Sequence, residues 1–194
     1  MRIVAGRWRG RRLQTFEGSA IRPTSDRARE TLFNILGPSI EDASFLDLFA
    51  GTGAVGLEAM SRSCGEVVFV DSSALAAKVI RSNLEIRGAG KSASPDQSCP
   101  YVLLKQEAVP AIKELARQKR EFDFIFIDPP YADGHYAPVM ETLRRFPILK
   151  AGGWIIVEHA SRRGPEFSEF GWTPFRVVKV GDTSFSFFEG ENLK

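Results

Sequence analysis

The chain has 194 residues, 43% hydrophobic and 26% charged, with a formal net charge of +2; that is enough for one compact domain with its own core. Two cysteines (Cys64, Cys99) and two histidines, none at ligand spacing, argue against a zinc centre and a disulfide framework. With no signal-peptide pattern at Met1-Arg2-Ile3-Val4 and no apolar run near the ~18 residues of a membrane span, the expected setting is a reducing cytoplasm.

The charge is unevenly spread. Residues 1–30 hold eight arginines, no lysine and three acids, a net +5, and the other residues carry −3. Arginine's planar fork binds phosphate and stacks on bases, so a basic arm of this kind favours nucleic acid. Ile3, Val4, Trp8 and Leu13 are interleaved with the arginines, which predicts an ordered hairpin around Gly6 and Gly10. Thr24-Ser25-Asp26 precedes a helix over 27–36, with Ser25 or Thr24 as cap and Gly37-Pro38 as stop. A strand at 45–49 leads through a glycine turn to a helix at 55–61. A strand at 67–70 ends at Asp71-Ser72-Ser73, and a helix follows over 74–87. Residues 88–100, rich in Gly, Ser and Pro, form a surface loop. Further strands are predicted at 101–104, 122–127 and 154–157, with helices at 109–118 and 136–146. The strands are nearly continuous apolar runs alternating with helices, the pattern of a parallel sheet covered on both faces. The tail differs: strands 175–180 and 183–188 around Gly181-Asp182 predict a hairpin on the sheet edge.

Three features carry chemistry. Gly51-Thr52-Gly53-Ala54-Val55-Gly56 matches G-x-G-x-x-G after a strand and before a helix, a weak signal for a ligand held close to backbone. Asp71, at the end of the next strand, suits ribose hydroxyls, so a dinucleotide fits equally well to this point. Asp47 separates the options. Beside a pyrophosphate its charge is repelled by roughly 3 kcal/mol at ~5 Å and an effective dielectric of ~20. S-adenosylmethionine, carrying an ammonium and a sulfonium, reverses that sign. The alternative for Asp47 is a structural carboxylate capping the loop amides. Glu107 follows the third strand and can face an adenine amine, or simply complement a helix N-terminus.

Asp128-Pro129-Pro130-Tyr131 follows the fourth strand. Prolines cannot donate ladder bonds, so the strand stops there. The Asp128 carboxylate and the Pro129 carbonyl offer two acceptors for the N–H groups of an exocyclic amine. Tyr131 offers a stacking face for its base, worth ~1–3 kcal/mol; the alternative is a structural turn in which Asp128 caps and Tyr131 fills the core. Holding both N–H groups orients the nitrogen and favours its developing positive charge.

Asp47-Leu48-Phe49-Ala50-Gly51-Thr52-Gly53 together with Asp128-Pro129-Pro130-Tyr131 resembles the class I S-adenosylmethionine-dependent amino-methyltransferases. The segment from Arg2 to Arg11 (RIVAGRWRGR), with that from Arg22 to Asn34 (RPTSDRARETLFN), resembles the bacterial RsmD family, which methylates N2 of a guanine in 16S ribosomal RNA. The resemblance covers nearly the whole chain. It implies a seven-stranded, mostly parallel Rossmann-like sheet with an antiparallel last strand, a basic arm at 1–20 and a catalytic domain at 21–194. It implies that Asp47, Phe49, Ala50, Gly51, Gly53, Asp71, Ser72, Glu107 and Asp128 surround S-adenosylmethionine. Asp128, Pro129, Pro130 and Tyr131 would receive the guanine, and Arg7, Arg9, Arg11, Arg12 and Arg22 would grip RNA. The partner is 16S rRNA or an assembling small subunit; the enzyme is expected to be a monomer that needs no metal or membrane. Two departures stand out: the stretch 88–100 is longer than the family norm, and Glu107 replaces a shorter Asn or Asp. The competing readings are a DNA adenine-N6 or cytosine-N4 methyltransferase, a non-catalytic RNA-binding module, and, remotely, a dinucleotide oxidoreductase. In none are His135 and His159 expected to be catalytic.

Overall fold

The computed structural model describes residues 1–16, 24–85, 99–130, 134–162 and 164–190. In chain order the elements are α1 (Asp26–Leu36), β1 (Ser44–Leu48), α2 (Ala54–Ser61), β2 (Glu66–Val70), α3 (Ala74–Leu84), β3 (Tyr101–Leu104), α4 (Ala108–Arg117), β4 (Phe122–Ile127), α5 (Tyr136–Arg145), β5 (Leu149–Ala160), β6 (Arg176–Val180) and β7 (Thr183–Glu189). The strands form one seven-stranded sheet, ordered β3-β2-β1-β4-β5-β7-β6. Strands β1 to β5 pair in parallel, β7 runs antiparallel beside β5, and β6 returns on the outer edge.

The pleat sorts the apolar runs into two cores. Phe45, Phe69, Phe124, Phe126, Ile156 and Phe185 pack with α1, α2 and α3 on one face. Leu46, Leu48, Val68, Val70, Ile125, Ile127 and Val157 pack with α4 and α5 on the other. This two-sided burial is why the sequence shows runs rather than alternation. Ser25, not Thr24, caps α1: its Oγ accepts from the Ala28 amide at 3.1 Å. Strand β5 is much longer than the predicted 154–157. Its first half crosses Gly152-Gly153 and its end carries Glu158 and His159; β4 pairs with Leu149 and with 154–157 on one side, and β7 with 154–160 on the other. The predicted hairpin is β6–β7. The loop predicted at 88–100 lies outside the described residues except for Cys99 and Pro100. Cys64 and Cys99, distant in sequence, bury in the same apolar cluster. The Cys64 thiol is held above its ordinary value by a hydrogen bond with Cys99 and by burial.

The N-terminal segment closes on itself as predicted. Arg2 bridges Arg12 antiparallel, Ile3 N–H donates to the Arg11 carbonyl at 2.9 Å, and Gly10 N–H to the Ile3 carbonyl at 2.9 Å. It lies docked against the body. Ile3 and Leu13 are buried in the α1–α3 core. The buried Glu58 of α2 accepts the Val4 and Ala5 amides at 2.7 and 2.9 Å, and Arg62 Nε at 3.0 Å. Asn83 of α3 exchanges two hydrogen bonds with the Gln14 backbone.

Candidate active site

Strand β1 lies between β2, which continues the sheet one way, and β4, which continues it the other. Ligands of open α/β sheets bind at the carboxyl ends of the strands at such a reversal. A cavity of about 860 Å³ opens there. Asp47, Phe49, Ala50, Gly51, Asp71, Ser72, Glu107, Asp128, Pro129 and Pro130 all line it. Gly53 does not; it caps α2 from below the loop. Tyr131 and Arg22 lie outside the described residues. Arg7, Arg9, Arg11 and Arg12 sit on the docked hairpin, with Arg9 and Arg12 exposed. Arg7 also reaches the Met60 carbonyl at 3.2 Å and stacks over Trp8.

The glycine loop is tight. Gly53 has φ +75, a conformation L side chains rarely adopt. Phe49 is also left-handed, at φ 63, which is uncommon for a non-glycine residue. Its ring faces that of His135 with centroids 5.6 Å apart, so a histidine joins the cavity wall. Gly56 allows α2 to press on β2: a Cβ there would stand 2.3 Å from the Phe69 ring. Asp71 accepts the Gly51 amide on Oδ2 and the Ser73 amide on Oδ1, both at 2.8 Å. Each carboxylate oxygen has a second lone pair, so it can still accept from a ligand hydroxyl.

Asp47 is 2% exposed and accepts the Gly56 amide at 2.9 Å. It thus caps the loop and faces the cavity at once. Burial lifts its carboxyl to about 7; the Gly56 amide opposes this, and Asp71 and Glu158 add to it. A buried acid poised between its two forms fits a cationic ligand and repels an anionic one. Glu107 is the N-cap of α4 yet makes no side-chain capping bond, and its exposed side chain lines the cavity.

The parity of the pleat brings Asp128 beside Asp47. Phe45 and Asp47 of β1, Phe124 and Phe126 of β4, and Ile156 of β5 share the α1–α3 face. One pleat beyond, Asp128 and Glu158 emerge side by side, because Ile127 is in register with Val157. The Thr24 hydroxyl lies between them, 2.6 Å from Glu158 Oε2 and 3.5 Å from Asp128 Oδ2. Burial raises both carboxyls. Asp128 is raised well above its ordinary value, with Glu158 and Asp47 contributing, and Glu158 is raised to about 7. Thr24 is held by Arg29, a fully buried guanidinium that donates to the Thr24 carbonyl at 3.3 Å, to Asp26 at 2.8 Å and to the Arg2 carbonyl.

Thr24 and Glu158 escape a reading of the sequence: the first looks like a helix cap, the second like the end of a short strand. The available signal was a carboxylate after Trp154-Ile155-Ile156-Val157, at the carboxyl end of the strand following that of Asp128. His159, on the opposite face, bonds Ser186 Oγ at 2.9 Å and packs on Phe167.

The family model described as "Conserved hypothetical protein 95" matches residues 1–189. The Ribosomal RNA small subunit methyltransferase D of Escherichia coli K12 is 32% identical over 197 residues, covering 98% of this chain and 90% of its own. That of Haemophilus influenzae is 32% identical over 189 residues, covering 97% and 93%. A solved structure of a hypothetical protein from Thermus thermophilus superposes with a TM-score of 0.79 at 26% identity, covering 97% of this chain and 99% of the other. Agreement in fold, in length and in sequence from the hairpin to β7 leads to one assignment: the chain belongs to the RsmD family of small-subunit ribosomal RNA methyltransferases, with the class I methyltransferase fold.

Proposed function

We propose that the protein transfers a methyl group from S-adenosyl-L-methionine to the exocyclic N2 of a guanine in 16S ribosomal RNA. The observation that carries this reading is the shared cavity: Asp128 and Pro129 line it together with Asp47, Asp71 and Glu107. When bound, S-adenosylmethionine supplies an electrophilic methyl on a sulfonium. Asp47 and the loop around Gly51 hold its methionine end, Asp71 its ribose and Glu107 the adenine side. Asp128 and the Pro129 carbonyl accept the two N–H groups of the guanine amine, orienting its nitrogen and favouring positive charge on it. Pro130 and Tyr131 bear on the ring. No metal takes part.

The names of the relatives support a ribosomal RNA substrate; the reading places the reaction in the cytoplasm and assigns it to a single copy of the chain. A guanine N2 inside a stacked helix is out of reach of such a cavity, so the base comes from a loop or is flipped. The segment 1–20 is the RNA-gripping arm, through Arg7, Arg9, Arg11 and Arg12, joined by Arg22 just beyond it, and 21–194 the catalytic unit. The test is Asp128→Ala with primer extension and nucleoside analysis of 16S rRNA from a deletion strain. Methyl transfer is lost while S-adenosylmethionine still binds by calorimetry. Wild-type turnover by the variant, or methylation of DNA in preference to rRNA, would overturn the reading.

A further inference from the structure

Two carboxyls, the buried Glu158 and the half-buried Asp128, lie on either side of one hydroxyl hydrogen, and the sharing is unequal. Thr24 Oγ1 is 2.6 Å from Glu158 Oε2 and 3.5 Å from Asp128 Oδ2. A hydroxyl has a single hydrogen, and at these distances it belongs to Glu158. Glu158 is favoured twice more: it lies in the field of the buried Arg29, and the Thr183 hydroxyl also bonds it. Among the described residues, the charges that act on Asp128 are like charges, Glu158 from β5 and Asp47 from β1. Around them, Asp71 from the end of β2 acts on Asp47, while Asp26 and Glu58 surround Arg29. Glu107 and His135 line the same cavity. The backbone that presents the Thr24 hydroxyl is held on both sides: Arg29 donates to its carbonyl and Ser25 caps α1 directly after it.

We infer that Glu158, acting through the Thr24 hydroxyl, is a positioning residue for Asp128: it takes the shared hydrogen and the local negative charge, so that Asp128 keeps its proton in the free protein and releases it to solvent when a cation enters the cavity. The acceptor for the incoming amine is thereby unmasked by the cationic methyl donor. This rests on the proposed role of Asp128.

The test uses the full-length chain with S-adenosylmethionine and its product S-adenosylhomocysteine, which lacks the sulfonium charge, as probes. Proton release is measured by calorimetry in buffers of different ionisation enthalpy at pH 8, where Asp47 is already largely ionised. Wild type releases more protons with S-adenosylmethionine than with S-adenosylhomocysteine. Glu158→Gln removes the like charge and at least halves that difference. It also moves the acidic limb of the single-turnover rate to lower pH by half a unit or more, which a purely structural role would not do. Glu158→Asp, which keeps the charge, retains most of the release and serves if Glu158→Gln does not fold: its proton release and limb then stay near those of wild type, whereas loss of both overturns the inference. Equal proton release and equal pH limbs in wild type and Glu158→Gln also overturn it. Asp128→Asn separates the two levels: if it turns over RNA like wild type, the role of Asp128 falls and this inference with it. If it is inactive while Glu158→Gln titrates like wild type, only the inference falls.

Discussion

Asp47→Asn isolates the electrostatic design of the cavity. In the free protein the Asp47 carboxyl is held at about 7 against an ordinary 3.8, because burial outweighs the Gly56 amide. At ~1.4 kcal/mol per pH unit, that interval amounts to at most about 4 kcal/mol of folding stability. The sign follows from proton binding. A carboxyl raised in the folded state binds more protons folded than unfolded, so its contribution is complete below about pH 4 and is lost as pH climbs through about 7. Asparagine keeps an oxygen to accept the Gly56 amide and cannot ionise. The variant therefore melts close to wild type near pH 4 and above it at pH 8. At ~3 °C per kcal/mol for a domain of this size, the gap reaches up to ~10 °C. Saturating S-adenosylmethionine, whose positive charge offsets the buried anion, closes the gap by raising wild type more than the variant. The assay is thermal denaturation by circular dichroism from pH 4 to 8.5, with and without the ligand. A gap constant across pH, or equal stabilisation of both proteins by the ligand, would refute the reasoning.

Three other perturbations address the frame of the site. Glu58→Ala leaves the Val4 and Ala5 amides without their acceptor and Arg62 without its partner; urea denaturation should show a loss of about 3 kcal/mol, and a loss under about 0.5 kcal/mol would exclude Glu58 as the anchor of the hairpin. Gly56→Ala drives a methyl into the Phe69 ring, so it destabilises by about 1–3 kcal/mol and weakens S-adenosylmethionine binding, whereas wild-type melting and affinity would mean that α2 has room to retreat. Arg9→Ala with Arg12→Ala, both exposed on the hairpin, should leave melting unchanged and reduce the slope of log affinity for RNA against log salt by ~0.7–0.9 per lost phosphate contact; an unchanged slope would remove these arginines from the interface.

Much of this protein is written locally. The order of strands and helices follows from apolar runs and their punctuation, because burial on both faces leaves an unbroken apolar signature. The glycine loop, Asp47, Asp71 and the Asp128-Pro129-Pro130 corner could be placed at strand ends for the same reason: a strand in a covered parallel sheet turns polar only where it leaves the core. The hairpin 1–13 was legible from Gly6 and Gly10 between paired apolar residues. Its docking was not, since the partner of its amides is Glu58, the lone acid of a short apolar helix that is buried along its whole length.

What sequence alone could not supply is the company each group keeps. Asp47 reads equally well as a loop cap and as a ligand's counter-charge; the fold makes it both, because the carboxylate that bonds the Gly56 amide is also buried against the cavity. Thr24 and Glu158 reach Asp128 across sequence separations that no local pattern spans. They meet it because β5 lies in parallel register beside β4, so that the residue after Val157 emerges next to the residue after Ile127, and because the chain entering α1 delivers a hydroxyl to the gap between them. Local chemistry sets which residues are able to act, whereas register and burial set which of them share a proton.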